Sequence, residues 1–120
     1  MAISRRVLLS LAFASPAFAA PASAARAERS LGSAKARLTA VEFFSLTCPH
    51  CADFALHSLP EIKTRWIEPG TLRWVFYDFP TDRAALQAAM IARHLPADRY
   101  ERFIDKLFEN QDGWLFGAGR

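Results

Sequence analysis

At 120 residues the chain has room for one ordinary domain and not for two. Its composition, 52% hydrophobic and 22% charged, excludes a disordered tail and a polar low-complexity chain. The formal charge of +3 shrinks toward neutrality once Arg5 and Arg6 of the leader are set aside. The remaining basic residues are scattered among acidic ones, so no stripe could neutralise many phosphates at once, and nucleic acid is not an expected partner.

The chain opens on a short basic stretch, Met1 to Arg6, then an apolar run, Val7 to Ala14, then small residues. This is the pattern of a bacterial-type signal peptide over residues 1–24, with small-x-small cleavage sites ending at Ala19 or Ala24. A membrane span needs about 20 uninterrupted apolar residues, and Ser10, Ser15, Pro16 and Pro21 interrupt this one. Ser4-Arg5-Arg6-Val7-Leu8-Leu9 resembles a twin-arginine signal, although paired arginines also occur in general-export leaders. The product is expected in an oxidising compartment. Residues 25–36 are small, polar and charged, and read as a flexible arm ahead of the body at 37–120.

Leu38 to Ser45 is rich in branched and aromatic residues and apolar on both faces, as a covered parallel strand reads, with Glu42 interrupting it. From Pro49 to about Ile67 the period becomes helical, with Ala55, Leu59, Ile62 and Trp66 on one face. Pro49 suits a first turn, Pro69-Gly70 supplies the stop, and Pro60 should kink the helix by freeing the Leu56 carbonyl. Thr71 to Tyr77 is a second strand, so the unit is β-α-β with parallel strands and the fold class is α/β. Thr81 or Asp82 can cap a helix to about Leu95. Pro96 breaks it, and Tyr100, Phe103, Ile104, Leu107 and Phe108 form the stripe of another. The aromatic set Trp66, Trp74, Phe76, Phe103 and Phe108 is expected mainly in the core.

Both cysteines lie in one motif, Cys48-Pro49-His50-Cys51, where the first strand gives way to its helix. A thiolate at Cys48 would meet the positive end of the helix dipole and unsatisfied amides, conditions that depress a thiol pKa from ~8.5 into a range of roughly 3.5 to 7.5. Cys51, three residues on, shares its face and can attack a mixed disulfide formed at Cys48. A purely structural staple is the weaker reading, because closing so short a loop stabilises by roughly 2 kcal/mol against about 3 for fifteen residues. No metal is expected, since His50, His57 and His94 provide no second closely spaced pair of ligands. His50, between the cysteines, could stabilise the Cys48 thiolate further, whereas His57 and His94 read as surface or capping residues. Glu42 is either a buried carboxylate that accepts a proton from Cys51 or an edge residue facing solvent or Arg73.

The segment Val41-Glu42-Phe43-Phe44-Ser45-Leu46-Thr47-Cys48-Pro49-His50-Cys51 resembles the active-site segment of the DsbA family of periplasmic thiol:disulfide oxidoreductases. The likeness continues through Leu59-Pro60, residues 72–77, Asp78-Phe79-Pro80 and Leu107-Phe108-Glu109-Asn110-Gln111. It implies a thioredoxin-like fold with the start of an inserted helical subdomain near Pro80. It further implies Cys48 as attacking cysteine, Cys51 as its resolving partner, His50 as tuner of the couple and Glu42 as a buried acid, with no cofactor. The partners implied are cysteine-containing exported polypeptides and a membrane redox protein. Family members continue with a cis-proline loop, two strands and a helix for which this sequence has no counterpart. The competing readings are therefore a non-catalytic remnant or interaction module, and a reductase or isomerase in place of an oxidase.

Overall fold

The computed structural model describes residues 27–117. The leader at 1–24 and its cleavage sites lie outside the described residues.

The sheet has three strands: β1 (Arg29–Leu31), β2 (Leu38–Phe44) and β3 (Leu72–Asp78). Their spatial order is β1-β3-β2, with β2 parallel to β3 and β1 antiparallel to it. The expected β-α-β unit is present with Leu38 opposite Leu72 and Phe44 opposite Asp78, so both strands end on the side where the cysteines lie. β1 is a correction, because it falls within the stretch read as a flexible arm. Its cause is tertiary. Ser30 and Leu31 pair with Val75 and Trp74, while the buried Arg29 guanidinium donates to the carbonyls of Arg93 and Leu95 at 3.1 and 3.0 Å, fastening the arm to the end of a helix. Gly32 then turns the chain at φ +83°, and a Cβ there would stand 2.7 Å from the Leu72 carbonyl oxygen, so the turn requires glycine.

The crossover is α1, a continuous helical run over 49–67 built from α segments at Pro49–Asp53 and Leu59–Ile62 and π segments at Phe54–Ser58 and Lys63–Ile67. The expected disturbance at Pro60 takes the form of the first π segment. Proline removes one N–H and crowds the carbonyl four residues back, and widening the preceding turn relieves both, with the Leu59 N–H reaching back five residues to Phe54. Each π turn takes up extra residues and rotates the inward face. Ala55 and Leu59 are buried as the helical period predicts, but Ile67 is buried where Trp66 was expected, and Trp66 is half exposed. Gly70, at φ +83°, ends the run.

Three helices follow: α2 (Arg83–His94), α3 (Ala97–Glu109) and α4 (Gln111–Phe116). Asp82 is the cap expected for α2, its carboxylate accepting from the Ala85 N–H at 2.8 Å. The α3 stripe supplies buried Tyr100, Ile104 and Phe108, with Phe103 and Leu107 packed at its margin. Phe108 meets Phe44 edge-on at 6.0 Å and Tyr100 lies 5.8 Å from Phe76, so α3 crosses the same sheet face as α1. Tyr100 is held from both sides: its hydroxyl donates to Asp78 at 3.0 Å, and Arg29 and Arg93 lie over its ring at 5.6 and 5.1 Å. The opposite sheet face carries exposed Val41, Phe43 and Tyr77, the last two rings 5.0 Å apart. Among the described residues no helix is long and apolar enough to cross a membrane.

Candidate active site

Cys48 is the residue before α1, in extended conformation at φ −81° and ψ 120°, and its carbonyl accepts the first helical bond from the Ala52 N–H at 3.1 Å. Proline at the first helical position forfeits an N–H that would have had no helical partner, and leaves the next amides aimed at the sulfur. The Cys51 main-chain N–H does most to hold the Cys48 thiol below its ordinary value. Burial opposes this as the second-largest effect, and the Cys51 thiol and the His50 main-chain N–H add smaller lowering contributions. Cys51 moves the other way. Burial pushes its thiol up, and the neighbouring Cys48 sulfur and the Glu42 carboxylate add to the rise, opposed by the Ser45 main-chain N–H. Both sulfurs are free thiols and partly buried. The pair is therefore asymmetric, with one sulfur favoured as the anion and the other kept as the proton carrier.

His50 acts on Cys48 through its main-chain amide, while its imidazole is exposed at the rim of a groove of about 370 Å³. Cys51, Glu42, Phe43, Phe54 and Trp74 line the same groove. His57 faces Asp53 at 3.1 Å, and His94 lies 2.7 Å from the Met90 carbonyl, both on exposed helix surface. Among the described residues no cluster of His, Cys, Asp and Glu could hold a metal ion.

Glu42 points from β2 into this groove and accepts from the Trp74 indole N–H at 2.9 Å. Arg73, the alternative partner, pairs with Glu28 instead. Burial pushes the Glu42 carboxyl above its ordinary value; the Trp74 bond opposes this and the Asp105 charge adds to it. Trp74, expected from the sequence mainly in the core, is thus also the polar partner of the half-buried Glu42 carboxylate, and it stacks on Phe54 at 5.9 Å.

Two more residues at the site were assigned no role from the sequence, although Gln111 closes the family-like stretch 107–111. Gln111, buried at the start of α4, donates from Nε2 to the carbonyls of Leu46 and Cys48 at 2.9 and 3.1 Å. Asp105 lies on α3 between Glu101 and Glu109, which pair with Lys63 and Lys106 and leave it outside both ion pairs. Burial, with the Glu101 charge, pushes Asp105 up to about 6. A carboxyl raised on folding binds its proton more tightly in the folded state, so stability is lost as pH rises from its ordinary 3.8 to about 6 and is level above that. Asp105→Asn should remove this loss, and denaturant titrations across that interval should show the variant gaining on the parent chain as pH rises.

Residues 24–118 match a family model described as thioredoxin. The chain belongs to the thioredoxin family. A Rickettsia prowazekii protein named for protein-disulfide oxidoreductase activity is 32% identical over 87 residues, 72% of this chain and 32% of that protein. A Bacillus cereus protein named for disulfide bond formation is 29% identical over 89 residues, 70% of this chain and 41% of its own length. Among solved structures, Wolbachia pipientis alpha-DsbA1 superposes with a TM-score of 0.69 at 33% identity, over 75% of this chain and 46% of that one. A protein-disulfide isomerase from Novosphingobium aromaticivorans gives 0.72 at 28% identity, over 78% and 47%. The resemblance to the DsbA family and the thioredoxin-like α/β fold with a helical insertion are thereby established. This thioredoxin-family chain spans about a third of the length of its Rickettsia relative and less than half of each of these two solved structures.

Proposed function

We propose that the chain is a protein-disulfide oxidoreductase that works in the periplasm after export, introducing disulfides into cysteine-containing exported polypeptides. The observation that carries this reading is the opposed perturbation of the two thiols at the opening turn of α1, Cys48 downward and Cys51 upward, with Cys51 lining an apolar groove. In the oxidising direction a substrate thiolate attacks Cys48 Sγ of the Cys48–Cys51 disulfide. The S–S bond breaks, and Cys51 leaves with the electron pair and takes a proton, for which Glu42 is the nearby acid. A second substrate thiolate then attacks the substrate sulfur of the mixed disulfide and expels Cys48, a good leaving group because its anion is stabilised. Two electrons have then passed from the substrate dithiol to the chain. An oxidised membrane protein takes them back through the reverse exchange, Cys48 attacking its disulfide and Cys51 closing the bond while Glu42 accepts the proton.

A stabilised Cys48 thiolate favours the reduced pair, which supports transfer in the oxidising direction; about 30 mV accompanies each ~1.4 kcal/mol in a two-electron couple. The test uses the purified chain in its disulfide form and a reduced protein that needs a disulfide for activity. Restored activity together with an oxidising glutathione equilibrium is the expected result. A potential near that of reducing thioredoxins would assign the reverse direction. A chain that binds the substrate and leaves it reduced would be an interaction module instead.

A further inference from the structure

Resting on the redox reading above, this inference concerns how the loop that presents Cys48 is held in place. Residues 45–48 connect β2 to α1, and each of them is tied to the helical half of the fold. Ser45 Oγ lies 3.0 Å from Thr81 Oγ1, and the Thr47 hydroxyl donates to Asp82, whose other carboxylate oxygen caps α2. On the other side, the single side chain of Gln111 reaches the carbonyls of Leu46 and Cys48. An amide nitrogen facing two carbonyl oxygens commits both of its hydrogens, so a side chain 8% exposed is fully engaged as a donor without bringing a charge beside the sulfur.

The Cys48–Pro49 peptide explains why such a clamp matters here. Pro49 has no N–H, so this peptide plane cannot be held from its nitrogen side and its carbonyl oxygen is the only polar handle. That oxygen receives two donors, the Ala52 N–H of α1 at 3.1 Å and Gln111. Rotation of the plane would change the ψ of Cys48, now 120°, and would swing the sulfur away from the amides of His50 and Cys51. We infer that Gln111 is the positioning residue of the redox loop, fixing the Cys48–Pro49 peptide so that the opening amides of α1 face the Cys48 sulfur. The hydrogen bonds of Gln111 go to carbonyl oxygens and not to a sulfur. Its bond to the Cys48 carbonyl couples the redox loop to a side chain more than sixty residues away in the chain.

The experiment compares Gln111→Met, which keeps the length and apolar packing but removes both donors, with Trp114→Phe. The latter removes the Trp114 Nε1 to Leu107 carbonyl bond of 2.9 Å, a contact between α4 and α3 away from the loop, and keeps both Gln111 donors. Cys48 is followed by its rate of iodoacetamide labelling at mildly acidic pH and by ultraviolet titration of the thiolate. Gln111→Met should label about fivefold more slowly, the scale of one neutral hydrogen bond, with its titration moved to higher pH. Trp114→Phe should melt earlier yet titrate as the parent chain does. Equal shifts in both variants, or none in Gln111→Met, would overturn the role of Gln111. If Gln111→Met does not fold, Gln111→Glu asks the same question, since a carboxylate facing two carbonyls should move the titration upward and an unmoved titration would again overturn it. A parent chain whose Cys48 reacts no faster than free cysteine would sink the redox reading itself. A fast parent with an equally fast Gln111→Met removes only the clamp.

Discussion

Cys51→Ser is expected to abolish turnover while leaving Cys48 reactive. The variant cannot form the internal disulfide, so oxidation of a dithiol substrate should fall to the uncatalysed background. Its Cys48 remains beside the amides of His50 and residue 51, so the sulfur stays poised as an anion, although it loses the bond from the Cys51 thiol. Offered a disulfide-containing peptide, Cys48 should attack one sulfur, release the other as a thiol and remain joined in a mixed disulfide. Nothing three residues on can then expel the peptide. The adduct should persist on non-reducing gels and in intact-mass measurements, and Cys48→Ser should give neither adduct nor turnover. Cys51→Ser that turned over at the parent rate would place the exchange chemistry elsewhere.

The second large effect is expected at Glu42. Glu42→Gln keeps an oxygen able to accept from the Trp74 indole, so the 2.9 Å bond can survive, while the charge and the proton site are lost. Two consequences oppose each other. Removing the anion lets the Cys51 thiol ionise more readily, although the Glu42 charge is the least of the effects that raise it. Removing the acceptor costs general-base assistance when Cys51 attacks, about 10²-fold or more. The loss should win, so closure of mixed disulfides near neutral pH should slow by about tenfold or more, and the inflection contributed by Glu42 should vanish from the pH–rate profile. Stability should move the other way. Because the carboxyl is raised on folding, the parent chain loses stability as pH rises from the ordinary 4.5 through the raised value, and Glu42→Gln should lose none there. Higher melting temperature with slower closure is the combined signature; slower closure with a lower melting temperature would mean that Glu42 is chiefly structural.

Local signals carried the parts of the fold that local physics decides. Pro49 at a first turn, Asp82 as a cap and the stripe from Tyr100 to Phe108 each act within a few residues, and each is found where expected. The parallel pairing followed from two strands separated by one helix. What escaped was set by distant partners. Arg29 reads as surface charge until the carbonyls of Arg93 and Leu95 neutralise the cost of burying it, and β1 exists because β3 offers an edge. Gln111 follows a helix end as any polar residue does, and its two acceptors lie more than sixty positions earlier. At the site, the motif located the cysteines, and the likeness to a known family suggested Glu42 as a buried acid. Neither indicated that the Trp74 indole would bond that carboxylate, or that the main-chain N–H of His50 would face the Cys48 sulfur.

The two π segments of α1 give the crossover a built-in slack that a uniform helix lacks. Shortening the chain by one residue within 54–58 could be absorbed by converting that wide turn to an ordinary one, with the hydrogen-bond ladder unbroken. The phase would survive, because the wide turn spreads over five residues about the rotation that an ordinary turn makes in four. Ile67 would then stay in the core and Lys63 beside Glu101, while the cysteine end, anchored by β2 and the loop before it, stayed in place. The crossover therefore tolerates the loss of one residue at its wide turns, where the same loss in an α segment would turn everything beyond it by about 100°.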